Sequence, residues 1–380
     1  MYKAFKYRIY PNKSQTEMIH KHFGCSRFIY NWALNRKTKA YQESKTKLSC
    51  FDLQREITQL KKTEGFEWLS EVNSQTLQQT VAHLDTAFSK FFKEKKGYPK
   101  FKKKRNQQSF TARQGCKVDL DSGRITLPKI SGIKAKISRR FNGKIKQVTV
   151  TKTASDKYFA SVLVDTGESL PEKAPLSEDT AIGIDLGLKH FCTLSDGEKI
   201  PSNQFLFKSL SKLAKLQRRF LRKKKGSKRW EKARIRVAKL HEKVTNQRND
   251  FLHKLSTRLV RENQTVCVET LSVQDMQQTP WLARAIGDAG WAKFNELLSY
   301  KCEWYGVNFI KIGRFEPSSK MCTCGTINNS LKLSQRKWTC ESCGLTHDRD
   351  ILAAQNIKRF AFVGQNLIAQ VPLVKRKLMA

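Results

Sequence analysis

The chain is short of acid. It carries 33 Asp and Glu against 73 Lys and Arg in 380 residues, a formal net charge of +40. Self-repulsion on that scale is destabilising until a polyanion neutralises it, so nucleic acid is the expected partner. An anionic membrane surface is the other reading of such a charge. No run of about 18 apolar residues is present, which excludes a helical membrane span. The opening segment, Met1–Tyr10, alternates like a strand and does not resemble a secretory signal. The expected location is therefore the cytoplasm, beside the nucleoid, with no membrane partner. A simple disordered basic tail is also excluded, because 22 Phe, 9 Tyr and 7 Trp supply both a core and faces on which bases stack. No internal repeat is visible.

Ten cysteines are present. Six are scattered and read as small buried residues. The other four, Cys322, Cys324, Cys340 and Cys343, form two knuckles. Four thiolates at this spacing suit tetrahedral Zn²⁺ with no open position, hence a structural metal. The second knuckle is C-x-x-C. The first is C-x-C, tighter than usual, and leaves open a three-cysteine site or one that recruits His347. A metal-free thiol cluster is the alternative.

Pattern divides the chain into segments. Residues 1–10 read as a strand stopped by Pro11-Asn12, and 14–96 read as helical, with Ser74 as one cap. Residues 108–165 alternate in short runs, so the opening strand is expected to join them in a β-barrel-like module. From 181 the pattern changes to short buried strands at 181–186, 265–269 and 307–312. A long helical stretch at 205–262, bent near Gly226, and helices near 290–304 and 350–361 separate or follow them. Basic residues concentrate in two places: Lys102, Lys103, Lys104 and Arg105 in a loop, and Arg218, Arg222, Lys224 and Arg229 on the long helical stretch. Arg336 adds a third point between the knuckles. These nine are the expected contacts to a phosphate backbone; a merely solvated surface is the alternative.

Three acidic residues sit at separate landmarks. Asp185 and Glu269 each close a buried strand, and Asp350 opens a helix just after the knuckles. The order strand-Asp, hairpin, helices, strand-Glu, helix, strand, helix-Asp matches an RNase H-like layout, with Asp185 and Glu269 on neighbouring parallel strands. Carboxylates and phosphate oxygens are hard ligands, so Mg²⁺ or Mn²⁺ is the expected metal. Two ions at one site would serve an in-line displacement at a phosphodiester. Duller readings exist for each acid: a turn residue for Asp185, a cap for Glu269, and an N-cap for Asp350, with Asp348 competing.

Several motifs carry a resemblance. They are Gly183-Ile-Asp-Leu-Gly187 and its continuation to Gly197, Val268-Glu269-Thr-Leu271, Pro317-Ser-Ser-Lys320, Trp338-Thr-Cys-Glu-Ser-Cys-Gly344 and His347-Asp-Arg-Asp350 with Ala353-Ala354-Gln-Asn-Ile357. Together they resemble TnpB (OrfB), transposon-encoded RuvC-type nucleases related to type V CRISPR effectors. Weaker likeness runs over about residues 1–362. The resemblance implies an α/β multidomain protein: an RNase H-like RuvC nuclease domain (181–312 and 346–363) with an inserted zinc finger (313–345). It would be preceded by a β-barrel wedge domain (1–10 and 106–165) carrying a helical recognition insertion (11–105), with a linker at 166–180 and a basic tail at 364–380. It also implies an RNA-guided DNA endonuclease with Asp185, Glu269 and Asp350 as catalytic triad and Mg²⁺ ligands. The guide RNA would come from the transposon end, the target would be double-stranded DNA beside a short motif, and the protein would act as a monomer. One departure is Leu352, where the family usually has Asn. A nuclease-inactive RNA-guided repressor and a DDE-type transposase are the alternatives.

Overall fold

A computed structural model of the chain describes residues 1–105, 107–332 and 334–370, except for the side chains of 274, 281 and 364–370. Contacts divide it into two units, Met1–Ser169 and Leu170–Ala380. The boundary lies inside the expected linker.

Strand β1 (Tyr2–Tyr10) opens the first unit and buries Tyr7 and Ile9. After Pro11, Asn12 caps α1 (Lys13–Ser44) in a reciprocal capping box with Gln15. Helices α2 (Cys50–Leu60) and α3 (Ser74–Glu94) share a core with α1 that includes Ile29, Leu34, Leu53, Leu77 and Leu84. The cap of α3 is Asn73 and not the expected Ser74: its side chain accepts from the Thr76 N–H at 3.2 Å. Strands β2 (Gln108–Ala112), β3 (Lys117–Asp119), β4 (Arg124–Leu127), β5 (Ile130–Lys136), β6 (Lys144–Lys152) and β7 (Tyr158–Asp165) complete an antiparallel sheet. Its order is β2-β6-β7-β1-β5-β4-β3. In chain order the helices fall between β1 and the other strands of this sheet. The strand order is open, with β2 and β3 at its edges.

The second unit is built on strands β8 (Ala181–Leu186), β9 (His190–Leu194), β10 (Lys199–Pro201), β11 (Thr265–Glu269) and β12 (Asn308–Ile312), in the order β10-β9-β8-β11-β12. Strand β8 runs antiparallel to β9 and parallel to β11, which is parallel to β12. Asp185 and Glu269 thus lie on neighbouring parallel strands, as expected. The runs in β8 and β11 are continuously apolar because both faces are covered. Ile182, Ile184, Val266 and Val268 join a core with α5 (Lys228–Glu262) and α8 (Trp291–Tyr305). Cys267 and Ile312 pack with Ile357 and Ala361 of α9 (Arg349–Gln370).

The stretch expected as one bent helix is two. Helix α4 (Leu210–Leu221) ends before Gly226, which takes φ +85°, and the Ser227 side chain accepts from the Trp230 N–H to start α5. Phe220 meets Trp230 across that turn with ring centroids 5.2 Å apart. Short helices α6 (Val273–Met276) and α7 (Pro280–Ala289) lie between β11 and α8. Helix α9 continues to Gln370, so the first residues of the expected tail are helical; 371–380 lie outside the described residues. The knuckles flank β13 (Lys337–Thr339), which pairs antiparallel with β14 (Thr346–Asp348). Among the described residues no helix is long and apolar enough to cross a membrane.

Candidate active site

In the parallel pair of β8 and β11, Ile184 stands opposite Val268. The next residue on each strand is a carboxylate, Asp185 one residue before the end of β8 and Glu269 the last of β11. The carboxyl ends of such strands are where open α/β sheets hold ligands. Helix α9 crosses β8 at Gly183. A Cβ there would lie 2.0 Å from the carbonyl oxygen of Ala354, so only glycine admits this crossing. Asp350 lies one helical turn before Ala354, and Asp185 lies two residues after Gly183.

Asp185 feels the other two acids. Burial, then the Glu269 and Asp350 carboxylates, push the Asp185 carboxyl up to about 8, with Arg349 and Arg336 pulling it down. Asp185 is closely surrounded by protein yet keeps some solvent access. Burial also raises Glu269. A carboxylate pressed by two others and poor in hydration is a donor set that fits a hard divalent cation. Among the described residues, the four cysteine sulfurs are the only candidate ligand group gathered within 4.8 Å. The carboxylates stand more openly than that.

Asp348, not Asp350, caps α9. Its Oδ1 accepts from the N–H groups of Asp350 at 3.1 Å and Ile351 at 3.2 Å. Its Oδ2 accepts from Lys199 of β10 at 2.7 Å. Burial opposes ionisation of Asp348, but the Lys199 ammonium and these N–H groups hold its carboxyl below the usual range. The side chain of Asp350 is therefore free of capping and pairs instead with Arg336 at 3.0 Å. Lys199 ties the start of α9 to the edge of the sheet and so positions Asp350. Lys199→Met is expected to slow DNA cleavage about threefold to tenfold through that displacement, with nucleic-acid affinity unchanged. Lys199→Arg should restore the rate in single-turnover cleavage assays.

The finger has little to hold it without metal. Its core is Cys322, Leu331, Trp338 and Cys340, with Leu352 from α9. Leu352, the departure from the family's Asn, is thus packed against the finger. The Cys322–Cys343 and Cys324–Cys340 sulfurs are 3.5 and 3.7 Å apart. Tetrahedral Zn²⁺ with ~2.3 Å bonds needs sulfurs about 3.8 Å apart, so the four thiols fit zinc and the C-x-C knuckle does not prevent it. The Thr326 hydroxyl and backbone N–H pull the Cys324 thiol down to about 6, which favours the thiolate a metal needs. His347 lies beside this set, its Nε2 3.0 Å from the Cys322 sulfur. Asn356 of α9 is buried and donates to the carbonyls of Ser318 and Met321, joining the helix to the first knuckle. Cys340→Ser is expected to release most of the bound zinc, measured by elemental analysis, and to open 313–345 to proteolysis.

Eight of the nine expected backbone contacts are exposed: Lys103, Lys104, Arg105, Arg218, Arg222, Lys224, Arg229 and Arg336. Two are engaged within the protein. Lys102 is partly buried, its ammonium 4.0 Å from the Tyr30 ring centre, and its backbone is held by Asn31. Arg336 pairs with Asp350. Sequence reasoning missed Lys199 because its partner is 149 residues away. Gly183 stood in a quoted motif, two residues before Asp185, but its spatial role needed the helix crossing.

Three family models match segments of the chain. A model described as "Probable transposase" (OrfB, IS605 type) matches 161–279, one for a Cas12f1-like TNB domain matches 291–357, and a "Helix-turn-helix domain" model matches 1–46. That last segment is here one strand and one long helix. A Streptomyces pristinaespiralis protein named as an RNA-guided DNA endonuclease is 42% identical over 93% of this chain and 88% of its own length. Escherichia coli InsQ, named likewise, is 30% identical over 93% and 91%. The solved mini-RNA-guided endonuclease CRISPR-Cas phi3 aligns with a TM-score of 0.49 at 10% identity, over 96% of this chain and 93% of that one. On the strength of the two full-length relatives, the chain belongs to the TnpB (OrfB) family.

Proposed function

We propose that this protein is an RNA-guided DNA endonuclease that hydrolyses target phosphodiesters at a site held by Asp185, Glu269 and Asp350. The observation that carries the reading is the parallel register that brings Asp185 and Glu269 to the carboxyl ends of β8 and β11, with Asp350 close enough to raise Asp185 further. Two bound Mg²⁺ ions, or Mn²⁺, would supply an activated water and offset charge on the departing 3′ oxygen. The protein's own groups prepare that site. Asp185 and Glu269 are fixed by the strands, and Asp350 is fixed by the Asp348 cap and Lys199. Close packing around Asp185 limits its hydration. Arg336 neutralises one Asp350 oxygen, the part a divalent ion's charge would take.

The remaining roles follow from charge. The exposed basic residues of both units take up RNA and DNA backbones without reading sequence. Pairing with a guide RNA from the transposon end reads the target, and the protein reads only a short duplex motif beside it. In this reading the open β sheet of the first unit is the wedge-like part, α1 to α3 are the recognition helices, and one chain serves one guide. A four-thiolate Zn²⁺ site holds the finger.

The test is to reprogram the protein. Purified chain loaded with its co-purifying RNA, mapped to its own locus, should cut a matching duplex in Mg²⁺. Exchanging the guide segment should move the cut to the new complement. A cut that stays in place, or strand transfer without RNA, contradicts the proposal.

A further inference from the structure

The end of α3 and the loop after it expose a group of aromatic rings inside the most basic stretch of the first unit. Phe92 is 74% exposed, Phe101 54% and Tyr98 45%. Rings of this size forfeit hydrophobic burial when left in water, and here they are gathered, not scattered. Tyr98 sits edge-on to Phe88 at 5.5 Å and to Phe91 at 5.4 Å. Phe92 lies 6.4 Å from Phe88 at an interplanar angle of 22° and 5.0 Å from Phe91. The Tyr98 hydroxyl is bonded to the Thr38 hydroxyl of α1 at 2.9 Å. Lys95 ends the helix in the left-handed region, φ 51°, which turns the chain back over these rings. The platform is thus held in place before any ligand arrives.

Its surroundings select the ligand. Lys93, Lys100, Lys103, Lys104 and Arg105, all exposed, belong to the same stretch of chain as the platform. Glu94 is the single acid between 90 and 105, and it is paired with Lys96 at 2.7 Å. A flat apolar face within a cationic stretch is complementary to a flat base on an anionic backbone. We propose that Phe92 and Tyr98 form a stacking platform for an unpaired base of the bound RNA. The inference rests on the RNA-guided reading above. RNA is chosen over DNA because a guide must be loaded before a duplex can be read, so it is the partner that covers this face first.

The test uses the full-length chain freed of RNA. Phe92→Trp adds an indole whose emission, taken as the difference from the parent protein, reports stacking. A uridine RNA of roughly 12 nucleotides, within the usual range of site sizes, should quench that emission. An abasic strand of equal length and charge should bind without quenching. Phe92→Ala, a change at an exposed ring, should weaken uridine RNA binding about tenfold and leave abasic binding unchanged. Equal quenching by both strands overturns the platform, as does a response confined to oligo(dT) or to phosphatidylserine vesicles. If RNA binds tightly and Phe92→Ala has no effect, the platform alone fails. If no RNA binds at all, the RNA-guided reading fails with it.

Discussion

Asp185→Asn is expected to lower DNA cleavage by about 10³-fold or more while leaving RNA and target binding nearly intact. Asparagine keeps the shape of the residue but removes the negative charge that a divalent ion requires. The same substitution should stabilise the metal-free protein. Asp185 is held at about 8 by burial and by the Glu269 and Asp350 charges, against about 3.9 in an unfolded chain. Between those values the folded state binds the proton that the unfolded state has lost, so metal-free stability falls as pH rises from about 4 to about 8. The asparagine variant has no such proton to lose. Its melting temperature should exceed the parent's by about 4 °C or more at pH 8.5 in chelator, and the gap should close towards pH 4. Saturating Mg²⁺ should stabilise the parent and not the variant. Normal cleavage by purified Asp185→Asn, or an unchanged melting difference across that pH range, contradicts the assignment.

Gly183→Ala is expected to be nearly as damaging, although the change is one methyl group. The added carbon would lie 2.0 Å from the Ala354 carbonyl oxygen and 3.0 Å from the Lys358 backbone nitrogen. Both neighbours are backbone of α9, so rotation of a side chain cannot relieve the clash. The helix has to lift from β8, and it carries Asp350 with it. Overpacking of this kind destabilises by about 1–3 kcal/mol. A displacement near 1 Å at the reacting groups costs on the order of 10² in rate. Calorimetry and single-turnover cleavage should therefore both report the loss. Binding through the exposed basic residues, none of which touches Gly183, should persist. Full activity in this variant would mean that the crossing does not set the position of Asp350.

The most legible parts of this molecule were those written as local pattern. The buried runs of β8 and β11 and the acids that close those runs could be read because both faces of those strands are covered, leaving an uninterrupted apolar stretch. The four cysteines were legible for a similar reason, since knuckle spacing is a local property. Helix ends were less so. Asn73 and Ser74 are both good caps, and only the bond to Thr76 decides between them. The α4–α5 break was read as a bend because Gly226 fits either outcome, and the contact of Phe220 with Trp230 that closes the turn is not visible as a period. Contacts between distant segments were not legible at all. The Lys199 tether to Asp348, the pairing of Arg336 with Asp350, and the use of Lys102 against Tyr30 each join residues whose spacing obeys no rule. Of the basic residues, sequence showed only that there were too many for the protein's own acids. Which of them face outward was settled by packing.

Diffraction from crystals soaked in Mn²⁺, recorded with anomalous signal, tests the shared carboxylate site most directly. The account predicts manganese peaks bounded by oxygens of Asp185, Glu269 and Asp350, lost together in Asp185→Asn. Manganese bound elsewhere, with the three carboxylates left apart and no ion between them, would contradict it.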